Sequence, residues 1–128
     1  MEPLLIVDAA NVIGSVPDGW WRDRRGAVER LRDRLPQVAA AGLAAHPGPL
    51  DVVLVAEGAA RGVESIPAVR VSSAPGSGDD RIVELVAEAD AGRDVVVVTA
   101  DRELRRRVEA LGAGCVGPRA LQNLPGDL

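Results

Sequence analysis

Lysine is absent from the 128-residue sequence, and so are phenylalanine and tyrosine. The missing lysine excludes Schiff-base catalysis, a Ser-Lys dyad and the lysine of a phosphate-binding loop. With no tyrosine and with His46 as the only histidine, acid-base chemistry falls mainly to the 19 carboxylate side chains. His46 stands between alanine and proline with no nucleophile beside it, and we interpret it as a loop residue. A catalytic site built from carboxylates is therefore expected.

Cysteine and long apolar runs are also scarce. The single Cys115 cannot form an internal disulfide, which is typical of a reducing compartment. No apolar stretch approaches the roughly 20 residues that span a bilayer, and the first residues do not have the pattern of a secretion signal. We expect a soluble cytoplasmic protein with no membrane association, folded as a single domain over residues 1–128.

The net charge of −4 is not the overall footprint of a nucleic-acid-binding protein. Positive charge is nevertheless concentrated in two segments, residues 22–34 with six arginines and residues 102–107 with four, and each carries a local charge of +3. These segments are either solvated helix faces or surfaces that hold an anionic polymer.

Apolar runs alternate with helical patterns along the chain. Helix-length segments separate the runs, which predicts a three-layer α/β/α sandwich with a central parallel sheet, in the strand order 3-2-1-4-5. The predicted strands are Leu4–Val7, Asp51–Ala56, Ala68–Ser72, Val95–Val98 and a short one at residues 114–116.

The helical patterns are less regular than the strands. Residues 14–19 are predicted to form a loop, a helix should begin near Arg25 and be interrupted at Pro36, and an Ala-rich helix should follow over Gln37–Ala45. The last helix should turn three residues inward: Leu104, Val108 and Leu111.

Acidic residues follow three of the predicted strands: Asp8, Glu57 and Asp101. Asp79 and Asp80 begin the helix after the third strand. Because the carboxyl ends of parallel strands meet at one edge of the sheet, these side chains should converge there. Crowded carboxylates repel one another, and a divalent cation relieves that repulsion. Oxygen ligands without Cys or His favour Mg²⁺ or Mn²⁺.

Each acid also has an ordinary structural interpretation. Asp80 and Asp101 are good helix N-caps, and Glu57 can be a loop residue in water. Asp8 is harder to explain in this way, because a charge in the middle of a doubly covered sheet is costly.

Two further polar residues lie near the predicted edge. Asn11 would hold Asp8 or the following loop by hydrogen bonds, and Thr99 would fix the turn before Asp101 or contact a phosphate; both are alternatively plain turn residues. The first strand is not followed by Gly-x-Gly-x-x-Gly, so no nucleotide cofactor is expected.

Three segments resemble the successive motifs of PIN-like nucleases, specifically the bacterial NYN-domain branch. They are Val7–Gly14, Gly78–Glu84 and Val98–Leu104. Pro17–Arg24 is similar to the segment that follows the first motif in one bacterial subgroup of that branch.

The resemblance implies a metal-dependent ribonuclease, which we predict to be an endonuclease. The resemblance also implies that Asp8, Asp80 and Asp101 bind the metal. We predict that these three and Asn11 are the catalytic residues, and that Glu57 and Asp79 are further metal ligands. Glu57 stands where related proteins often carry Asp after the second strand. Asp79 or Asp80 matches the acid of the second motif, and we favour Asp80 because Ile82 and Glu84 then fall in register.

An acidic site needs cations to hold RNA. The arginines within residues 22–25 and 102–107, together with Arg61, are expected to bind the RNA backbone, and Trp20 or Trp21 would stack on a base. Trp20 and Trp21 can equally form a hydrophobic staple at the helix start. The predicted substrate-binding residues are Trp21, Arg22, Arg24, Arg25, Thr99 and Arg102.

Two rival functions remain open at this point. One is a non-catalytic RNA-binding module that keeps the PIN-like scaffold. The other is a metal-dependent phosphohydrolase for small phosphate compounds, against which the arginine segments argue. The sequence does not determine which RNA is bound, whether cleavage is endo- or exonucleolytic, whether DNA is cut, or how many metal ions bind. A toxin role and the oligomeric state, a homodimer included, are also left open.

Overall fold

The computed structural model describes residues 1–122, so the predicted domain of residues 1–128 includes six residues, 123–128, that lie outside the described part. None of the described helices is long and apolar enough to cross a membrane. The helices are α1 (Ala9–Gly14), α2 (Arg24–Arg34), α3 (Pro36–Ala41), α4 (Gly78–Glu88) and α5 (Arg102–Glu109). The strands are β1 (Leu4–Asp8), β2 (Gly42–Leu43), β3 (His46–Pro47), β4 (Asp51–Ala56), β5 (Val69–Ser73), β6 (Val95–Val98) and β7 (Gly114–Val116).

Five of these strands form one parallel sheet in the order β5-β4-β1-β6-β7. Numbered by their order along the chain, they are strands 3-2-1-4-5, so the predicted order is confirmed. β1 lies at the centre and pairs with β4 on one side and β6 on the other. β2 and β3 form a separate two-stranded antiparallel hairpin.

Each face of the sheet carries its own core. In β1, Leu5 and Val7 face the core that α1, α2 and α3 cover, whereas Leu4 and Ile6 face the core that α4 and α5 cover. Both faces are apolar because helices exclude water from both. Burying each large aliphatic side chain contributes about 1.5–3 kcal/mol. The predicted three-layer α/β/α sandwich is confirmed.

Two local predictions were wrong, and one helix was not predicted. That helix is Ala9–Gly14, and six residues are too few to show a helical period in the sequence. The Ala-rich helix ends at residue 41 rather than 45, where Gly42 takes a positive φ of 82° that starts the hairpin. Leu111 is exposed because α5 has already ended at Glu109.

Candidate active site

Three polar side chains leave the sheet at its carboxyl edge on the same face. In β1, β4 and β6 a residue in the α1–α3 core is followed by Asp8, Glu57 and Thr99, respectively. Since side chains alternate along a strand, all three point toward α4 and α5. The hydrogen bonds agree, because Thr99 donates to Asp8 and Glu57 accepts from Gly78 at the start of α4.

Asp8 is a buried carboxylate with no cation beside it among residues 1–122. It is the N-cap of α1 and accepts a hydrogen bond from the Asn11 backbone N–H at 3.3 Å and one from the Thr99 hydroxyl at 2.9 Å. Burial raises the pKa of Asp8 to about 6; the two hydrogen bonds oppose that rise, and the charges of Asp79 and Glu57 add to it.

Asn11 and Thr99 position the loop between β6 and α5. The Asn11 side-chain oxygen accepts from the Ala100 backbone N–H at 2.8 Å, and the Thr99 hydroxyl oxygen accepts from the Asp101 N–H at 3.1 Å. Thr99 is fully buried, so its hydroxyl is out of reach of a phosphate in this structure. Of the two roles considered for Thr99, the structure places it in the supporting one.

Asp79, rather than Asp80, faces the other carboxylates. Asp79 is half-buried, and its pKa is raised by burial and then by the charges of Asp101 and Glu57. Asp80 is exposed and accepts from Arg107 at 3.0 Å. The register-based preference for Asp80 therefore does not match this geometry. The sequence around Asp79 does not predict that it turns inward, because packing and the N-cap set the direction of α4. Nor does it predict the pairing of Asp80 with Arg107, which is 27 residues away.

Glu57 and Asp101 hold the first turns of the two helices on this face. The Glu57 carboxylate accepts from the Gly78 N–H at 2.7 Å, and a Cβ on Gly78 would lie 3.1 Å from the Glu57 carboxyl carbon. Asp101 caps α5 by accepting from the Leu104 N–H at 3.0 Å. Both helices thus direct their positive N-terminal ends at the acidic edge. We call Asp8, Glu57, Asp79 and Asp101 the acidic edge cluster.

The acidic edge cluster has the donor chemistry of a hard divalent cation. Its ligands are all carboxylate oxygens. Burial and the neighbouring carboxylates raise the pKa of both Asp8 and Asp79, and the charge of Arg107 only partly offsets this at Asp79. In residues 1–122, however, no three acidic, histidine or cysteine side chains are already gathered as a metal centre. A cation would have to complete the arrangement on binding.

A cavity of about 350 Å³ opens beside the acidic edge cluster. Its walls include Arg24 of the predicted substrate-binding set, together with Trp20, Arg61 and Glu57. The Arg24 guanidinium lies 5.3 Å from the centre of the Trp20 ring.

The other predicted substrate-binding residues lie outside this cavity. Trp21 is 56% exposed, and the Arg22 guanidinium lies 5.7 Å from its ring centre. Arg25 donates to the backbone carbonyls of Arg61 and Gly62, at 2.9 and 3.0 Å, and so holds the loop after β4. Arg102 is exposed on the first turn of α5, next to Asp101.

A parallel sheet of this order, with acids at its carboxyl edge, defines a PIN-like nuclease fold. Within that class, the chain belongs to the YacP-like NYN domain family, whose sequence profile matches residues 5–124. The resemblance to the bacterial NYN-domain branch of PIN-like nucleases is thereby confirmed. Domains of this kind generally use divalent metal ions.

Solved structures show the same fold. Rae1 (YacP) from Bacillus subtilis is 21% identical to this chain, with a TM-score of 0.75 over 92% of this chain and 70% of that one. A single-residue mutant of the same protein is 20% identical, with a TM-score of 0.70 over 93% and 72%. At this identity the likeness shows the fold alone. No curated protein sequence matches.

Proposed function

We propose that this protein is a ribonuclease that hydrolyses phosphodiester bonds within RNA, in the cytoplasm, with Mg²⁺ or Mn²⁺ held by Asp8, Asp79 and Asp101. The observation that carries the proposal is Asp8, a buried carboxylate that faces further carboxylates and has no cation among the described residues. An uncompensated charge there is costly unless a ligand neutralises it. The nuclease fold of the family supports the same conclusion.

Each polar residue around the acidic edge cluster has a defined task in this proposal. When bound, a divalent cation neutralises charge on the phosphate and activates water. Thr99 and the Asn11 N–H fix the orientation of the Asp8 carboxylate. The Asn11 side chain fixes the loop that leads to Asp101.

Glu57 acts on the same site through α4. By accepting from Gly78 it anchors the first turn of the helix, and the next residue, Asp79, then faces the cluster. In this proposal Glu57 orients Asp79, and Asp80 stays paired with Arg107 outside the metal site.

The decisive experiment is cleavage of an end-labelled single-stranded RNA by the wild type and Asp8→Asn, each with Mn²⁺ and with excess EDTA. We expect cleavage by the wild type that requires metal, and a rate at least about a thousandfold lower for Asp8→Asn, because several kcal/mol of transition-state stabilisation depend on the cation. Asp90→Asn is the matched control, since Asp90 is an exposed acid beyond the end of α4. Metal-independent cutting, or full activity in Asp8→Asn, would overturn the proposal.

One observation favours a second function, a non-catalytic RNA-binding module. It is the absence, within residues 1–122, of three acidic side chains gathered as a metal centre. This alternative predicts that neither the wild type nor Asp8→Asn cuts RNA. It also predicts that charge reversal at Arg24 abolishes RNA binding, whereas Asp8→Asn leaves RNA binding unchanged. The cleavage assay and a binding assay on the same variants separate the two functions.

A further inference from the structure

The cavity beside the acidic edge cluster shares one residue with it, Glu57. Ala9 and Ala10, which line the cavity, directly follow Asp8 in the chain. Its remaining boundary comes from α2, from the loop after β4 and from the loop before α4. A group bound in the cavity would therefore lie next to the bond that the cluster is proposed to cut.

Much of the cavity lining is apolar. The apolar side chains come from three separate elements: Ala9 and Ile13 of α1, Val28 of α2, and Ala60. Trp20 is half-buried and lines the same cavity. A phosphate group alone makes no favourable contact with an apolar surface. A nucleobase, in contrast, buries an apolar face and stacks on an aromatic ring.

Two arginines and one glutamate, Glu57, also line this cavity. Among residues 1–122, neither the Arg24 nor the Arg61 guanidinium forms an ion pair with a carboxylate. Arg61 donates to the backbone carbonyls of Gly58 and Pro75, at 3.2 and 3.3 Å, which keeps its side chain at the cavity edge. Two uncompensated guanidiniums beside an aromatic wall fit the phosphates that flank a base.

We infer that the cavity is a binding site for one unpaired nucleotide of RNA, adjacent to the cleaved bond; this inference rests on the proposed function. The base stacks against Trp20 over the apolar lining, and Arg24 and Arg61 hold the flanking phosphates. The volume of about 350 Å³ is near the lower end for ligand sites, which is enough for one nucleotide. A base has to leave its pair to stack on Trp20 there, so the site takes an unpaired nucleotide.

The two tryptophans, the only aromatic residues besides His46, provide a direct test. Their rings meet edge to face with centres 6.2 Å apart, so the wild-type fluorescence mixes both. In Trp21→Phe the signal comes from Trp20 alone, and in Trp20→Phe from Trp21 alone. Each protein is titrated in EDTA with a single-stranded RNA hexamer, with a duplex of the same sequence and with pyrophosphate.

We expect the single-stranded hexamer to quench the Trp20 fluorescence of Trp21→Phe. The Trp21 fluorescence of Trp20→Phe should stay unchanged, although the RNA is bound. Anisotropy of a labelled hexamer measures that binding. Trp20→Ala should weaken hexamer binding about tenfold. Arg24→Gln should weaken it severalfold and reduce its dependence on salt.

Three results would overturn the inference. One is quenching of Trp21 with no change at Trp20. The second is equal quenching of Trp20 by the duplex, which would remove the selection of unpaired RNA. The third is quenching by pyrophosphate at the same concentration as the hexamer, which would make the cavity a phosphate site.

Because this titration needs no metal and no turnover, its outcome is independent of the cleavage assay. Cleavage that requires Asp8, without Trp20 quenching, would remove the nucleotide site and keep the ribonuclease. Trp20 quenching without any cleavage would keep the nucleotide site and favour the RNA-binding module.

Discussion

The central sheet has a buried or partly buried aspartate at each edge, and the pKa values of the two aspartates are shifted in opposite directions. At the amino edge, Asp51 accepts from Arg70 at 2.9 Å and from Arg93 at 2.8 Å. Partial burial alone would raise the pKa of Asp51, but the hydrogen bonds and charges of these two arginines outweigh it and hold that pKa below its usual value. At the carboxyl edge, Asp8 has hydrogen bonds but no arginine among the described residues, and its pKa is raised to about 6.

We interpret the difference as one between a structural acid and an acid of the proposed metal site. Asp51 begins β4 and pairs in register with Leu4 of the same central β1 that ends in Asp8. Two arginines bind Asp51 and, among residues 1–122, none binds Asp8, although the chain has 15 of them. An acid left without a cation by an arginine-rich chain is the more informative of the two.

The largest effect that tests this comparison concerns the two neighbouring acids of α4. Asp79 faces the acidic edge cluster, whereas Asp80 already has Arg107. We expect Asp79→Asn to lower the RNA cleavage rate about a hundredfold or more, and Asp80→Asn to change it less than about threefold. Rates measured with saturating Mn²⁺ check both, and the reverse order would show that an arginine-paired acid can be the functional one.

Stability should respond in opposite directions at the two edges. In EDTA at pH 7.5, Asp8→Asn should raise the free energy of unfolding by about 2 kcal/mol, because it removes an ionised carboxylate that burial disfavours. Asp51→Asn should lower it by about 1 kcal/mol, because Arg93, itself largely buried, loses a charged partner. Urea unfolding of the two variants measures both changes, and shifts of the same sign would contradict the comparison.

The pH dependence of stability sharpens the same point. A folded-state pKa near 6, against an ordinary value near 3.8, means that folded Asp8 keeps a proton that the unfolded chain has released. Its contribution to stability is therefore lost as the pH rises from about 4 to above 6, with about 1 kcal/mol lost between pH 5 and pH 7. The difference between the unfolding free energies of the wild type and Asp8→Asn, measured across this range in EDTA, isolates the effect. A pH-independent difference would show that Asp8 is already neutralised.

The smallest effect is expected at Arg107. Its ion pair with Asp80 is exposed, so Arg107→Gln should change the free energy of unfolding by less than about 0.5 kcal/mol. Thermal unfolding at low and high salt checks this, and a loss of more than 1 kcal/mol would mean that the pair fixes α4 against α5.

The sequence predicts the sheet well because each strand is a dense apolar run and helix-length connections enforce parallel pairing. It predicts that acids collect at one edge for the same reason. It does not predict which of Asp79 and Asp80 faces inward, because adjacent helix positions point about 100° apart and packing selects between them.

The arginines show the same limit. Arg24 and Arg25 are equivalent in the sequence, yet Arg24 lines the cavity and Arg25 binds carbonyls 36 and 37 residues away. Partners this distant in the chain leave no local pattern. Short elements such as Ala9–Gly14 are missed because tertiary contacts and one cap, rather than periodicity, form them.

Asp8, Glu57 and Thr99 lie on one face because side chains alternate along a strand. The site therefore depends on whether the number of residues added to or removed from a strand is odd or even. One residue inserted within β1 ahead of Asp8 would leave the strand as apolar as before, yet it would exchange the two faces and turn the carboxylate toward α1 and α2. Two inserted residues would return it to the original face. We therefore expect this strand to tolerate a change of two residues in its length better than a change of one, if Asp8 is to keep its face.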